Sequence, residues 1–331
     1  LDSLEKALLK LMSQVADFTE KIASLKSGHV QTKQDYSPVT LADYGAQIII
    51  NRWLSENFKD EPLIAEESSK SLMDSNENDF IDELAESLQT FLGLLSKNQI
   101  VEYLDFNSST AGANSFWVLD PLDGTKGFLR GGQYAISLGH VNNSEVDLGI
   151  LACPRLCLPH FSNKNIPGIS FFAQKGQGSW MKSFNTPSQL IPIHVSECKK
   201  FAEARLLRSF ESKHTDIEKT EQFLSKLGIN RIVPVDSQVK YGLLACGEGD
   251  LILRFPPVDN PDYREKIWDH AGGVVVLQEA GGKVTDVYGK AFQYKPEPFF
   301  KDSIGIFASN GFLHDLGLKA LQEIMGETKE R

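Results

Sequence analysis

Asp120 and Asp123 stand at the end of an apolar run, Trp117-Val118-Leu119-Asp120-Pro121-Leu122-Asp123-Gly124-Thr125, as two acids one short turn apart. Carboxylates this close repel unless a positive charge sits between them. Hard oxygen donors of this kind suit Mg²⁺, which binds through a few carboxylates, waters and phosphate oxygens, and the Leu122 carbonyl within the turn is a further donor. Gly124 and Thr125 then open the next segment, where backbone N–H groups at a helix or turn start receive a phosphate. Read as plain structure, the stretch is a solvated acidic turn with an Asp cap. The apolar strand feeding directly into it argues for the metal reading.

Two other acidic segments gain meaning beside this one. Glu66 and Glu67 close the apolar run Pro62 to Ala65, and alone they are simply the acidic first turn of a helix. Asp269, in Trp268-Asp269-His270-Ala271-Gly272-Gly273, precedes an apolar helix stopped by Gly281 and Gly282, and alone it is an N-cap. A helix start nevertheless delivers an acid and a positive dipole to one place, which suits a metal and the phosphate it neutralises. His270 lies one residue further, about 100° around the helix, and is read as structural. GxSxG, GxxxxGK[ST] and HExxH patterns are absent, so serine-hydrolase, P-loop and zincin chemistry has no residues to rest on.

The elements that must position these groups follow from periodicity. Leu4, Leu8, Leu11, Val15, Phe18 and Ile22 alternate by four and three, an amphipathic helix within residues 1 to 26. Thr40 with Asp43 three residues later caps a helix reaching about Asn57. A strand at 62 to 65, a helix at 80 to 95 and strands at 116 to 119, 134 to 141 and 146 to 153 complete the first half. Asn163 to Gly168, rich in turn residues, marks the expected boundary between an α+β domain, 1–162, carrying most metal ligands, and an α/β domain, 163–331, carrying Asp269. The second half alternates strands (near 169, 191, 205, 251, 283 and 304) with helices (near 216, 237, 269 and 311), the signature of α/β layering.

Composition bounds the partners. The 331 residues suit two average domains or one large one, and 41% hydrophobic with 24% charged residues is ordinary for a globular chain. With 34 Lys+Arg against 44 Asp+Glu, the net charge of −10 excludes a diffuse grip on nucleic acid, so an anionic ligand needs a local cationic device. Apolar stretches such as Gln47 to Leu54 fall short of the roughly 20 residues that cross a bilayer, so no membrane partner is expected. Cys153, Cys157, Cys198 and Cys246 lack CxxC spacing and read as reduced thiols, so the expected compartment is the cytoplasm. The leucine at position 1 leaves a trimmed leader and organelle import open. A monomer is expected, with dimerisation through the first helix left open.

Four segments in order, PVTLAD (Pro38 to Asp43), AEES (Ala65 to Ser68), WVLDPLDGTKGF (Trp117 to Phe128) and WDHAGGVVVLQEAGG (Trp268 to Gly282), resemble the lithium-sensitive, Mg²⁺-dependent phosphatase superfamily of inositol monophosphatase. RGGQYAISL (Arg130 to Leu138) and VDSQVKYGLLACGEGDLILRFP (Val235 to Pro256) are most similar to its 3'(2'),5'-bisphosphate nucleotidase branch. The resemblance implies an αβαβα sandwich, mixing α/β and α+β parts, of the inositol monophosphatase and fructose-1,6-bisphosphatase type. It implies Mg²⁺ held by Glu66, Asp120 and the Leu122 carbonyl, a second Mg²⁺ held by Asp120, Asp123 and Asp269, and a third, weaker ion leaning on Glu66. Asp43, acting through the Thr125 hydroxyl, would deprotonate the attacking water, and Gly124 and Thr125 would meet the phosphate. The implied substrate is 3'-phosphoadenosine 5'-phosphate, with its 5'-phosphosulfate relative second.

If Ser237 caps a helix, Lys240 lies in its first turn, and hydroxyl, ammonium and backbone N–H groups converge on a second phosphate. Arg254 would add a cationic or stacking contact, and His214 a contact near base or ribose. Without the family pattern these residues read as a capped surface helix and solvated basic side chains. The chain departs from the pattern at Glu211, where another histidine is expected, at Ala65 for Gly and at Gly132 for an acid. Phosphatase action on inositol phosphates, such as inositol 1,4-bisphosphate, is the alternative. A silent sensor protein ranks lower because every implied ligand is present.

Overall fold

A computed structural model describes residues 3–25, 30–32, 38–73, 78–109, 112–158, 161, 167–184, 190–210 and 215–327. In chain order the first elements are α1 (Ser3–Ser24), β1 (Val30–Thr32), β2 (Pro38–Thr40), α2 (Leu41–Asn57), β3 (Leu63–Ala65), α3 (Ser69–Met73), α4 (Asn78–Leu92) and α5 (Lys97–Leu104). Then come β4 (Ser115–Asp123), α6 (Thr125–Leu129), β5 (Ala135–Asn142), β6 (Glu145–Cys153), β7 (Ile169–Gln174), β8 (Gly178–Ser183) and β9 (Ile191–Pro192). The rest are β10 (Arg205–Arg208), α7 (Ile217–Leu227), β11 (Arg231–Pro234), α8 (Val239–Ala245), β12 (Leu251–Arg254), α9 (Ala271–Glu279), β13 (Lys283–Thr285), β14 (Ile306–Ser309) and α10 (His314–Glu327).

Among the described residues these strands form a short β1-β2 pair, a seven-stranded sheet ordered β3-β4-β5-β6-β7-β8-β9 and a five-stranded sheet ordered β11-β10-β12-β14-β13. Side chains alternate across a strand, so one strand serves two layers. Trp117 and Leu119 of β4 pack with Leu11, Val15, Ile48 and Ile50 of α1 and α2. Phe116 and Val118 join Val239, Leu244, Val275 and Leu277 of α8 and α9 on the other face. Leu207 and Ile252 of the smaller sheet share that second core, while Leu206 and Leu253 face Phe223 and Leu321 of α7 and α10. The layers therefore run helix, sheet, helix, sheet, helix, as the motifs implied. No helix among the described residues is long and apolar enough to cross a membrane. All four cysteines are unpaired.

The elements differ from the sequence reading in places. The helix at 80 to 95 stops at Leu92, where Gly93 takes a φ of 78°. α5 escaped notice although Ser96 and Gln99 form a capping box. The boundary expected after residue 162 falls between β6 and β7, antiparallel neighbours in one sheet. The chain passes from the larger sheet to the smaller only between β9 and β10. Loop composition reports exposure of the backbone rather than a change of core.

Two stability predictions arise here. α9 lies so close on β6 that a Cβ at Gly149 would come within 2.5 Å of the Gly272 carbonyl oxygen and 2.3 Å of Val275 Cγ1. Gly149→Ala should therefore lose about 1–3 kcal/mol of stability through overpacking, read by urea denaturation. At the other end of β4, the His140 ring packs at a 57° tilt against Trp117 and sits 2.6 Å from Asp147 and 3.2 Å from Glu61. Burial disfavours its protonation, but the hydrogen bond and charge of Asp147 and the charge of Glu61 outweigh that and raise its pKa. A raised folded-state pKa gives stabilisation fully present below about pH 6.5 and lost as pH rises through the folded value. The stability gap between wild type and His140→Gln should therefore shrink on going from about pH 6 to about pH 9; a constant gap contradicts the assignment.

Candidate active site

β4 does not end before its acids; it carries them. The register pairs Asp120 with Ser137 and Asp123 with Ala135, three steps on β4 against two on β5. Strict alternation would send Asp120 and Asp123 to opposite faces, and the extra residue cancels that inversion. Pro121, which has no N–H to lose from the ladder, sits within this bulge. Asp120 is 1% exposed, and its Oδ1 accepts the Leu122 N–H at 3.1 Å.

Four carboxylates converge here. Burial lifts the Asp120 pKa well above the usual carboxylate range, and Glu66, Asp123 and Asp269 push it further. Burial and Asp269 push Asp123 up to about 7, against the pull of Lys240 and the Gln238 N–H. Asp269 is raised by burial, with Arg254 and Lys266 opposing and Glu66 adding. These groups do not all ionise near neutral pH without added positive charge among them. Their donors are all oxygen, so the set fits a hard divalent cation such as Mg²⁺.

Asp43 is 1% exposed at the start of α2, and its two oxygens divide the work. Oδ2 accepts from the Thr40 N–H at 2.7 Å and the Thr40 hydroxyl at 2.6 Å, completing a capping box. Oδ1 faces the Thr125 hydroxyl at 3.2 Å, and that hydroxyl lies 3.3 Å from the Leu122 carbonyl oxygen. Thr125 is the first residue of α6, after Gly124 with a φ of 93°. Left-handed backbone there costs a glycine little.

A cleft of about 350 Å³ opens beside these acids. The carboxylates Glu66, Asp123 and Asp269, the turn residues Gly124 and Thr125, and Ser237, Lys240 and Arg254 all line it. Lys240 Nζ donates to Ser209 Oγ at 2.9 Å, and burial lowers its pKa to about 8 while Asp123 pulls the other way.

Ser237 is not the cap of α8, as the sequence suggested. Gln238 occupies that position, and Ser237 precedes it with a φ of 64° while its hydroxyl accepts the Val239 N–H at 3.3 Å. A non-glycine residue in this region signals local strain. Asp269 likewise sits just before the N-cap of α9, which is His270. Arg254 is an ion-pair partner of buried Glu265, through Nε to Oε1 at 2.9 Å and through Nη2 to Oε2, and it lies 4.0 Å from Asp269.

Glu265, Asp269 and His270 bring ligand atoms within 4.8 Å of one another. Arg254 engages Glu265, and Tyr241 bonds His270 Nδ1 at 2.8 Å, so this trio reads as a paired network around Asp269. Sequence reasoning missed Glu265 because its partner lies 11 residues away on β12, although a buried acid demands one. His214 lies outside the described residues.

The profile of the inositol monophosphatase family matches residues 1–326. The chain belongs to that family. Among similar proteins, a 3'(2'),5'-bisphosphate nucleotidase 1 of Arabidopsis thaliana is 37% identical over 349 residues, covering 100% of this chain and 97% of that one. An IMPase of Thermotoga maritima has a TM-score of 0.65 at 23% identity, covering 99% of both chains. A structure described as IMPase/NADP phosphatase complexed with Mg²⁺ and phosphate has a TM-score of 0.63 at 16% identity, covering 96% of this chain and 94% of that one. The inositol monophosphatase fold accounts for the layer order.

Proposed function

We propose that this chain is a Mg²⁺-dependent phosphatase that removes the 3'-phosphate of 3'-phosphoadenosine 5'-phosphate, giving AMP and phosphate, and that also accepts the 5'-phosphosulfate relative. The observation that carries the reading is one cleft lined both by the acids Glu66, Asp123 and Asp269, which suit a cation and the phosphate it neutralises, and by the cations Lys240 and Arg254. A substrate with two phosphates can use both sets of groups. The nucleotidase name borne by the Arabidopsis relative supports the same substrate.

Glu66, Asp120, the Leu122 carbonyl, Asp123 and Asp269 would hold two cations, with a third leaning on Glu66. When bound, these cations supply the positive charge that lets the acids ionise together, acidifies a water and neutralises phosphate oxygens. Asp43 Oδ1 holds the Thr125 hydroxyl so that its oxygen accepts a proton from the attacking water while its own proton passes to Asp43. Lys240 and Ser237 hold the 5'-phosphate, which fixes the ribose and aligns the 3'-phosphate with that water. Arg254, oriented by Glu265, adds positive charge to the same cleft.

The test is phosphate release in Mg²⁺ from 3'-phosphoadenosine 5'-phosphate, inositol 1-phosphate and inositol 1,4-bisphosphate at equal concentration. Strong preference for the nucleotide is the expected result, and preference for an inositol phosphate overturns the assignment of Ser237 and Lys240. Li⁺, close to Mg²⁺ in size with half its charge, should inhibit in the millimolar range; unaffected turnover would count against the branch.

A further inference from the structure

Gln238 is 1% exposed, and all three hydrogen bonds of its side chain run to other elements. Its Oε1 accepts from the Ser137 hydroxyl on β5 at 3.0 Å and from the Gly273 N–H in the first turn of α9 at 3.2 Å. Its Nε2 donates at 2.9 Å to the carbonyl of Trp268, the residue before Asp269. Its own backbone N–H donates to Asp123 Oδ2 at 2.6 Å.

A helix leaves its first N–H groups without partners inside the helix. Neither Gln238 at the start of α8 nor His270 at the start of α9 satisfies them with a side-chain cap. Partners come from outside these caps: Asp123 receives the N–H of Gln238 itself, the Ser237 hydroxyl receives that of Val239, and Gln238 receives that of Gly273 in α9. We infer that Gln238 is a positioning residue, whose backbone N–H holds Asp123 while its side-chain amide holds the turn that carries Asp269, so that both acids are tied to the α8 end that carries Ser237 and Lys240.

The physical reason lies in the alternatives open to these groups. The Gly273 N–H and the Trp268 carbonyl are held by one planar amide. If the amide is lost, both are buried without a partner, which is costly, and they regain one only by moving the turn from Trp268 to His270. That turn carries Asp269. Cation ligation is sensitive to such shifts, as partners behind a metal ligand show by controlling affinity about 10–100-fold. The inference rests on the reading that Asp123 and Asp269 hold a divalent cation.

Titration calorimetry of Mn²⁺ into the metal-stripped full chain tests it without recourse to activity. Gln238→Met keeps the length of the side chain and removes all three bonds, and the dissociation constant should rise about tenfold or more. Asn310 is a second buried amide, bonded to the Ser196 and Cys198 carbonyls and to the Leu313 N–H far from the carboxylates in sequence. Asn310→Leu should lose stability yet bind Mn²⁺ as wild type does, which separates positioning from general loss of packing. Gln238→Asn, retracting the amide by one methylene, should weaken binding in the same direction and serves if the Met variant is not recovered folded. Mn²⁺ affinity of a folded Gln238 variant within about twofold of wild type overturns the inference. Failure of wild type itself to bind Mn²⁺ overturns the cation reading, and the inference with it.

Discussion

Asp120→Asn should abolish phosphate release while leaving the cation-free protein more stable than wild type. The loss of turnover should exceed about 10²-fold, the upper end for removing a partner behind a metal ligand, because here the ligand itself is removed. Stability should move the other way. Burial and the charges of Glu66, Asp123 and Asp269 raise the Asp120 pKa, so its ionised form is disfavoured in the folded chain near neutral pH. A neutral amide of the same shape keeps the acceptor for the Leu122 N–H and relieves the repulsion. Phosphate release in Mg²⁺ and thermal unfolding in chelator check the two halves together. Parallel loss of activity and stability would mean that Asp120 only supports the fold.

Lys240→Met is the second large effect, and its size should depend on the substrate. The ammonium bonds Ser209 Oγ and faces the cleft beside Ser237, and Met retains the length of its stem. A hydrogen bond to a charged group is worth about 1.5–3 kcal/mol, so KM for the bisphosphate nucleotide should rise about 10–100-fold. Inositol 1-phosphate has no second phosphate for Lys240, and its kcat/KM should stay near the wild-type value. Equal losses for both substrates would move Lys240 from recognition of the second phosphate to general support of Asp123, whose charge it faces.

Layering was legible from the chain because apolar periodicity is a local property. The spacing in α1, the capping box of Thr40 and Asp43, and the alternation along β4 all depend on residues within a few positions of one another. The acidic motif was legible as chemistry, yet its geometry was not. Asp120 and Asp123 share a region through a bulge that ladder pairing with β5 creates. Ser237 looked like a cap because Ser commonly caps, but its left-handed backbone puts Gln238 in that place. Glu265 and Gln238 gave no signal because their partners, Arg254, Ser137 and Gly273, are brought near only by the packed layers. The boundary at 162 rested on turn residues, which mark any exposed connection, including one between neighbours of a single sheet.

The most direct test is product analysis by chromatography, using metal-stripped enzyme and 3'-phosphoadenosine 5'-phosphate with and without added Mg²⁺. AMP and phosphate should form in equal amounts when Mg²⁺ is present, and the substrate should stay unchanged when it is withheld. Formation of adenosine 3'-phosphate, or equal turnover in the presence of chelator, would contradict the proposed reaction.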